Sequence, residues 1–131
     1  MTPDTTTRVA ELLADAREVH SQALERLAAG DIRDAAEKAW CATKRATDAL
    51  VLARTGTEPE RSSETSRGLS SLATADQAVR PLRPRYYSRQ AELHGACFYD
   101  GICEPVDEVE RRIRETAAYI DDAAALVAGS H

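Results

Sequence analysis

The chain is predicted to be all-α, an antiparallel bundle of four to five helices. Three observations predict it. Ala, Leu, Glu and Arg dominate the 131 residues and aromatics make up only 5%, a composition that loses little side-chain entropy on entering a helix. Apolar residues recur at spacings of three and four along the first and last quarters of the chain. Gly and Pro fall between these periodic stretches, and no segment alternates with the period of a strand.

The first helix is expected from about Thr6 to Ala29, with Val9, Leu12, Leu13, Ala16, Ala23, Leu24 and Leu27 on its apolar face. His20 falls on or beside that stripe, as a core or interface histidine. Gly30 suits the left-handed position that ends a helix, and Asp31 can cap the next one at once. The first two helices should therefore form a tight antiparallel hairpin. The second covers about Ile32 to Arg54, with Trp40 as a core anchor among small residues. Lys44 and Arg45 read as a solvated face. Residues 55–65 read as a flexible loop.

Between 57 and 80 the apolar content is thin, with Leu69, Leu72 and Val79 as anchors. Thr57-x-x-Glu60 and Thr74-x-x-Gln77 fit the capping-box pattern. A short helix is expected at about 63–73, then a turn or helix at 75–80. The fourth main helix runs from about Pro84 to Tyr99, since proline suits a first helical turn, and Asp100-Gly101 breaks it. The last helix starts at Pro105, with Asp107, Glu108 and Glu110 near its positive end. Its stripe of Val106, Val109, Ile113, Ala117, Ile120, Ala124 and Val127 reads as one continuous helix closed by Gly129.

At this length the whole chain, 1–131, is expected to be one domain, burying roughly two thirds of its unfolded surface. The net charge of −5 argues against a protein that coats nucleic acid generally, though not against a local basic site. No leader-like segment or membrane-length apolar run is present, and Cys41, Cys97 and Cys103 cannot all pair within one chain. These features point to a cytoplasmic, reduced, soluble protein with no membrane partner.

The chemistry concentrates in Arg80-Pro-Leu-Arg-Pro-Arg-Tyr-Tyr-Ser-Arg-Gln-Ala-Glu-Leu-His94, which holds four arginines, two tyrosines and a histidine. Its end reads Arg89-x4-His94. Histidine titrates near pH 7 and can act as acid or base. A guanidinium fits phosphate oxygens and stabilises the charge that builds on them when a 2′-hydroxyl attacks the adjacent phosphodiester. Five residues along an α-helix is about 140° around the axis, so the pair would meet by a swing of the long Arg89 side chain or across a second subunit. Arg80, Arg83 and Arg85 could steer a substrate backbone, and Tyr86 and Tyr87 could stack on bases.

Structural alternatives stay open: an Arg and a His five apart also arise by chance, Tyr86, Leu93 and Cys97 can be core, the arginines can pair with surface acids, and His94 can be a satisfied structural histidine. His94-x2-Cys97-x5-Cys103 lacks a fourth ligand and the paired Cys-x2-Cys spacing of zinc sites, so buried free cysteines explain it more simply. No metal site and no cofactor are expected.

Two segments resemble the HEPN superfamily of small helical bundles. Ala29-Gly-Asp-Ile-Arg-Asp-Ala-Ala-Glu-Lys-Ala-Trp-Cys-Ala42, continuing to Leu50, is similar to the second helix of bacterial and archaeal members. Leu93-His-Gly-Ala-Cys-Phe-Tyr-Asp-Gly101 is similar to their "Leu-His, Phe-Tyr, acid-Gly" helix end. The resemblance extends over roughly residues 8–127. It implies a homodimer and, in many members, a metal-independent endoribonuclease with an Arg-x4-6-His motif, matched here by Arg89 and His94. The residue after that arginine is often Asn, Asp or His; here it is Gln90. Other members are inactive and bind partners, including antitoxins and small nucleotidyltransferases. The expectation is cleavage of single-stranded RNA through Arg89 and His94, the alternative a non-catalytic helical module that binds a partner protein or a nucleotide.

Overall fold

In the computed structural model, which describes residues 3–129, the chain is an all-α bundle. The elements are α1 (Pro3–Ala28), α2 (Ile32–Thr55), α3 (Ser62–Ala75), α4 (Leu82–Arg89), a π-helical stretch that continues α4 (Gln90–Tyr99), α5 (Val106–Arg114) and α6 (Thr116–Ala128).

The α1–α2 hairpin forms for the local reasons expected. Gly30 takes a φ of 87°, which only a residue without Cβ adopts cheaply. The Asp31 side chain accepts from the Asp34 N–H at 3.1 Å and starts α2. Arg26 pairs with Asp34 and Arg45 with Asp15, which sets the two helices antiparallel along their lengths. Both pairs are half-exposed and stabilise little; what holds the hairpin is the apolar seam.

α2 is the central element and contacts every other helix. Ala35, Ala36, Ala39, Ala42, Ala46 and Ala49 are fully buried on it, and their small size lets neighbouring axes come close. Trp40 is buried as anticipated, against Tyr86 at 5.2 Å between ring centroids. The buried hydroxyls of Thr43 and Thr47 donate to carbonyls four residues back, so the polar atoms in this core are satisfied. His20 is core: its Nε2–H donates to the Ile113 carbonyl at 2.9 Å. Burial pulls the imidazole below its ordinary range. Lys44 and Arg45 pair with Asp48 and Asp15.

Four expectations need correction. Helix α3 begins at Ser62, so the interhelix segment is shorter than 55–65, and neither Thr57 nor Thr74 caps a helix. Thr57 lies in the loop, where its N–H donates to the Thr55 hydroxyl, and Thr74 sits in the last turn of α3 and donates back to Ser70. The region 90–99 is π-helical, not α. The final stripe is two helices that break at Glu115. The cause of this break is a side chain from elsewhere, described below. Finally, Cys97 and Cys103 are joined as a disulfide, and Cys41 is the free thiol among the described residues. No helix among the described residues is long and apolar enough to cross a membrane.

Candidate functional site

His94 sits midway along the π-helical stretch. Its Nδ1 lies 2.8 Å and 3.0 Å from the two carboxylate oxygens of Glu37 on α2. A carboxylate accepts only, so Nδ1–H donates, and in the neutral imidazole the opposite nitrogen, Nε2, carries the lone pair. Nε2 has no hydrogen-bond partner among the described residues, and the side chain is 39% exposed. The ring is flanked by Trp40, Phe98 and Tyr99, with centroids about 6 Å away. Arg33, one turn before Glu37 on α2, donates to the carbonyls of Phe98 and Tyr99. It thereby neutralises the negative end of the π-helical stretch and fixes the segment that carries the histidine.

Arg89, the last residue of α4, turns the other way. Its side chain is buried, 5% exposed. Nη1 donates to the Arg112 carbonyl at 3.0 Å and to the Thr116 hydroxyl at 2.7 Å. The Thr116 hydroxyl itself donates to the same Arg112 carbonyl. Side chains that insert into the i→i−4 ladder break a helix, and this is where α5 ends and α6 begins. Burial, reinforced by Arg85 and Arg112, lowers the Arg89 pKa to about 10, which still leaves the group charged at neutral pH.

The π-helical i→i+5 repeat brings the backbones of residues 89 and 94 about one turn apart, closer than the α-helical angle expected. Their side chains nevertheless engage different neighbours, α5 and α6 for Arg89 and α2 for His94. Arg89 lines a cleft of about 510 Å³ with Pro84, Arg85, Ser88, Arg112 and Glu115. His94 does not line it.

The flanking residues divide as well. Arg85 borders that cleft; it pairs with Asp122 at 2.7 Å and lies over the Tyr119 ring. Arg80 and Arg83 point toward α3, with Arg83 donating to Ser70 and stacking on Tyr87. Tyr87 is half-buried there. Tyr86 is wholly buried, its hydroxyl on Ser66. It is core and presents no face on which a base could stack. The thiols of the His94-x2-Cys97-x5-Cys103 pattern are consumed in the disulfide, so they cannot serve as metal thiolates.

Glu37, Arg33, Ser88 and Arg112 were not singled out from sequence as site residues. Glu37 and Arg33 are four apart, on one face of α2, inside the segment that carried the second-helix resemblance; that shared face was the available signal. Arg112 lies in a run of charge, Glu110-Arg-Arg-Ile-Arg-Glu115, that reads as a solvated helix surface.

A family model, the archaeal PaREP1/PaREP8 family, matches residues 11–117. This span contains Glu37, Arg89, His94, Arg112 and Thr116. No curated protein and no solved structure matches the chain. On the extent of that match, the chain belongs to the archaeal PaREP1/PaREP8 family.

Proposed function

We propose that the protein is a metal-independent endoribonuclease of HEPN type, acting on single-stranded RNA with His94 as the acid–base group. The observation that carries this reading is the His94–Glu37 pair. Glu37 holds the imidazole by Nδ1 and leaves Nε2 directed away from its partner, on a half-exposed side chain. A general base needs both: a fixed tautomer and an accessible lone pair. In the reaction Nε2 takes the proton of a 2′-hydroxyl as its oxygen bonds to the adjacent phosphorus. The 5′-oxygen leaves and collects a proton, and the products carry a 2′,3′-cyclic phosphate and a 5′-hydroxyl. Tyr99, 74% exposed beside the ring, offers a stacking face for an unpaired base.

Within one chain Arg89 faces α5 and α6, its guanidinium buried and held there, so this reading requires a homodimer in which contact with a second copy turns that guanidinium to the phosphate at His94. Exposed Tyr99, Ile102 and Val106 follow His94 along the chain and supply apolar surface for such a contact.

A second reading is a non-catalytic helical module that binds a nucleotide or a partner protein, of the kind that pairs with antitoxins or small nucleotidyltransferases. The inward turn of Arg89 favours it. Incubation with mixed single-stranded RNA in EDTA separates the two. Under the first reading wild type cuts, His94→Ala loses about two to four orders of magnitude of rate, and Glu37→Gln is impaired. An inert wild type, or His94→Ala cutting as fast, leaves the binding module.

A further inference from the structure

We propose that the cleft between the end of α4 and the α5–α6 junction is a binding site for a phosphate ester of about mononucleotide size, distinct from the surface around His94. Three guanidinium groups, those of Arg85, Arg89 and Arg112, line this one cleft in a protein of net charge −5. Arg85 and Arg89 both lie against the ring of Tyr119, at 5.3 and 5.7 Å from its centroid. Like charges gathered this way repel, and a bound anion relieves that repulsion.

The cations are not all spoken for. Arg85 is matched by Asp122. The Arg112 side chain has no ion-pair or hydrogen-bond partner among the described residues, and neither has the Ser88 hydroxyl. Arg89 is anchored from behind through Nη1 alone. No buried side-chain nitrogen among the described residues lacks a partner, so its Nε and Nη2, which have none, keep contact with solvent. A guanidinium that is mostly buried, held from one side and lines the cleft is preorganised for an oxyanion. Glu115 is the one carboxylate lining the cleft. It leans on Arg111 at 3.8 Å, and the lining stays net positive.

The volume of about 510 Å³ lies in the range of small-molecule sites, roughly 300–1,000 Å³. Pro84 and Ala118 give the attached group an apolar wall. The shared chemistry is a phosphate carried on a small polar body, which a free nucleotide or an RNA backbone can each supply.

The inference does not rest on cleavage at His94: Arg89 is the one residue the two readings share, and Arg85, Ser88 and Arg112 have no part in that reaction. Calorimetric titration of the full chain with inorganic phosphate, AMP and a short oligoribonucleotide tests it. Saturable binding is expected, weakened about tenfold by Arg112→Ala, the loss of one charge-assisted contact, and little changed by Arg61→Ala, an equal charge change at the start of α3. AMP as the tightest ligand identifies a free nucleotide, and the oligonucleotide as the tightest identifies backbone phosphate. No saturable binding of any of the three, or equal weakening by both variants, overturns the proposal. RNA cleavage without phosphate binding would end this inference and leave the proposed function standing, and the reverse result would do the opposite.

Discussion

The Nη1 of Arg89 and the hydroxyl of Thr116 are 2.7 Å apart, inside the protein, at the point where α5 gives way to α6. A residue that reads from sequence as a phosphate contact thus secures a helix junction. Arg89→Ala should cost about 2–3 kcal/mol, the worth of hydrogen bonds made by a charged donor, and urea denaturation measures it. Any activity lost in this variant has to be compared with its melting temperature.

Thr116→Val tests the same junction from the other side. It keeps the shape and removes the acceptor, leaving Nη1 with the Arg112 carbonyl alone. The expected loss is about 1–2 kcal/mol. A change near zero in the unfolding free energy would mean that the hydroxyl is a bystander.

Stability should fall on mild acidification because of His20. Its folded-state pKa lies below the ordinary 6.5 through burial, so between those values the unfolded chain binds more protons than the folded one. The contribution of His20 is complete above 6.5 and declines as pH drops through 6.5 toward the folded value. Unfolding free energies at pH 7.5 and 5.5 should differ in wild type, and differ less in His20→Gln, whose amide can still donate to Ile113 and does not titrate.

Thiol counting checks the cysteine assignment. Unfolded without reductant, the chain should expose one reactive thiol, Cys41, and after reduction three, as Cys97 and Cys103 are released. Three thiols before reduction would restore the free-cysteine expectation.

If His94 and Arg89 act from different copies, inactive variants should complement. Mixing His94→Ala with Arg89→Lys should restore roughly a quarter of wild-type cleavage, because about half the dimers are hybrids and each regains one of two symmetric sites. No recovery on mixing would count against the shared site.

How much of this was legible depends on the range of the determining contacts. The α1–α2 hairpin could be read because Gly30 and Asp31 act on their immediate neighbours. Trp40 and His20 could be placed in the core because helical spacing puts them on apolar faces. The break at Glu115 could not be read: the apolar stripe runs straight through it, and the side chain that opens the ladder arrives from Arg89 on another helix. The π-helical stretch leaves no periodic mark in ten residues with mixed small and aromatic side chains. His94 was found as a residue type, but its partner Glu37 is 57 positions away, and a pairing of that kind has no local pattern. Tyr86 and Tyr87 are adjacent in sequence and both read as stacking residues, with core as the alternative for Tyr86; packing decides for the core there and leaves Tyr87 half-buried.

The most direct test of the account is the chemistry of the product ends. Purified protein is incubated in EDTA with a single-stranded RNA labelled at its 5′ end, and the fragments are analysed by mass. Acid–base catalysis by His94 predicts 2′,3′-cyclic phosphate termini from wild type and their loss in His94→Ala. Intact RNA, or fragments ending in a 3′-hydroxyl, would contradict it.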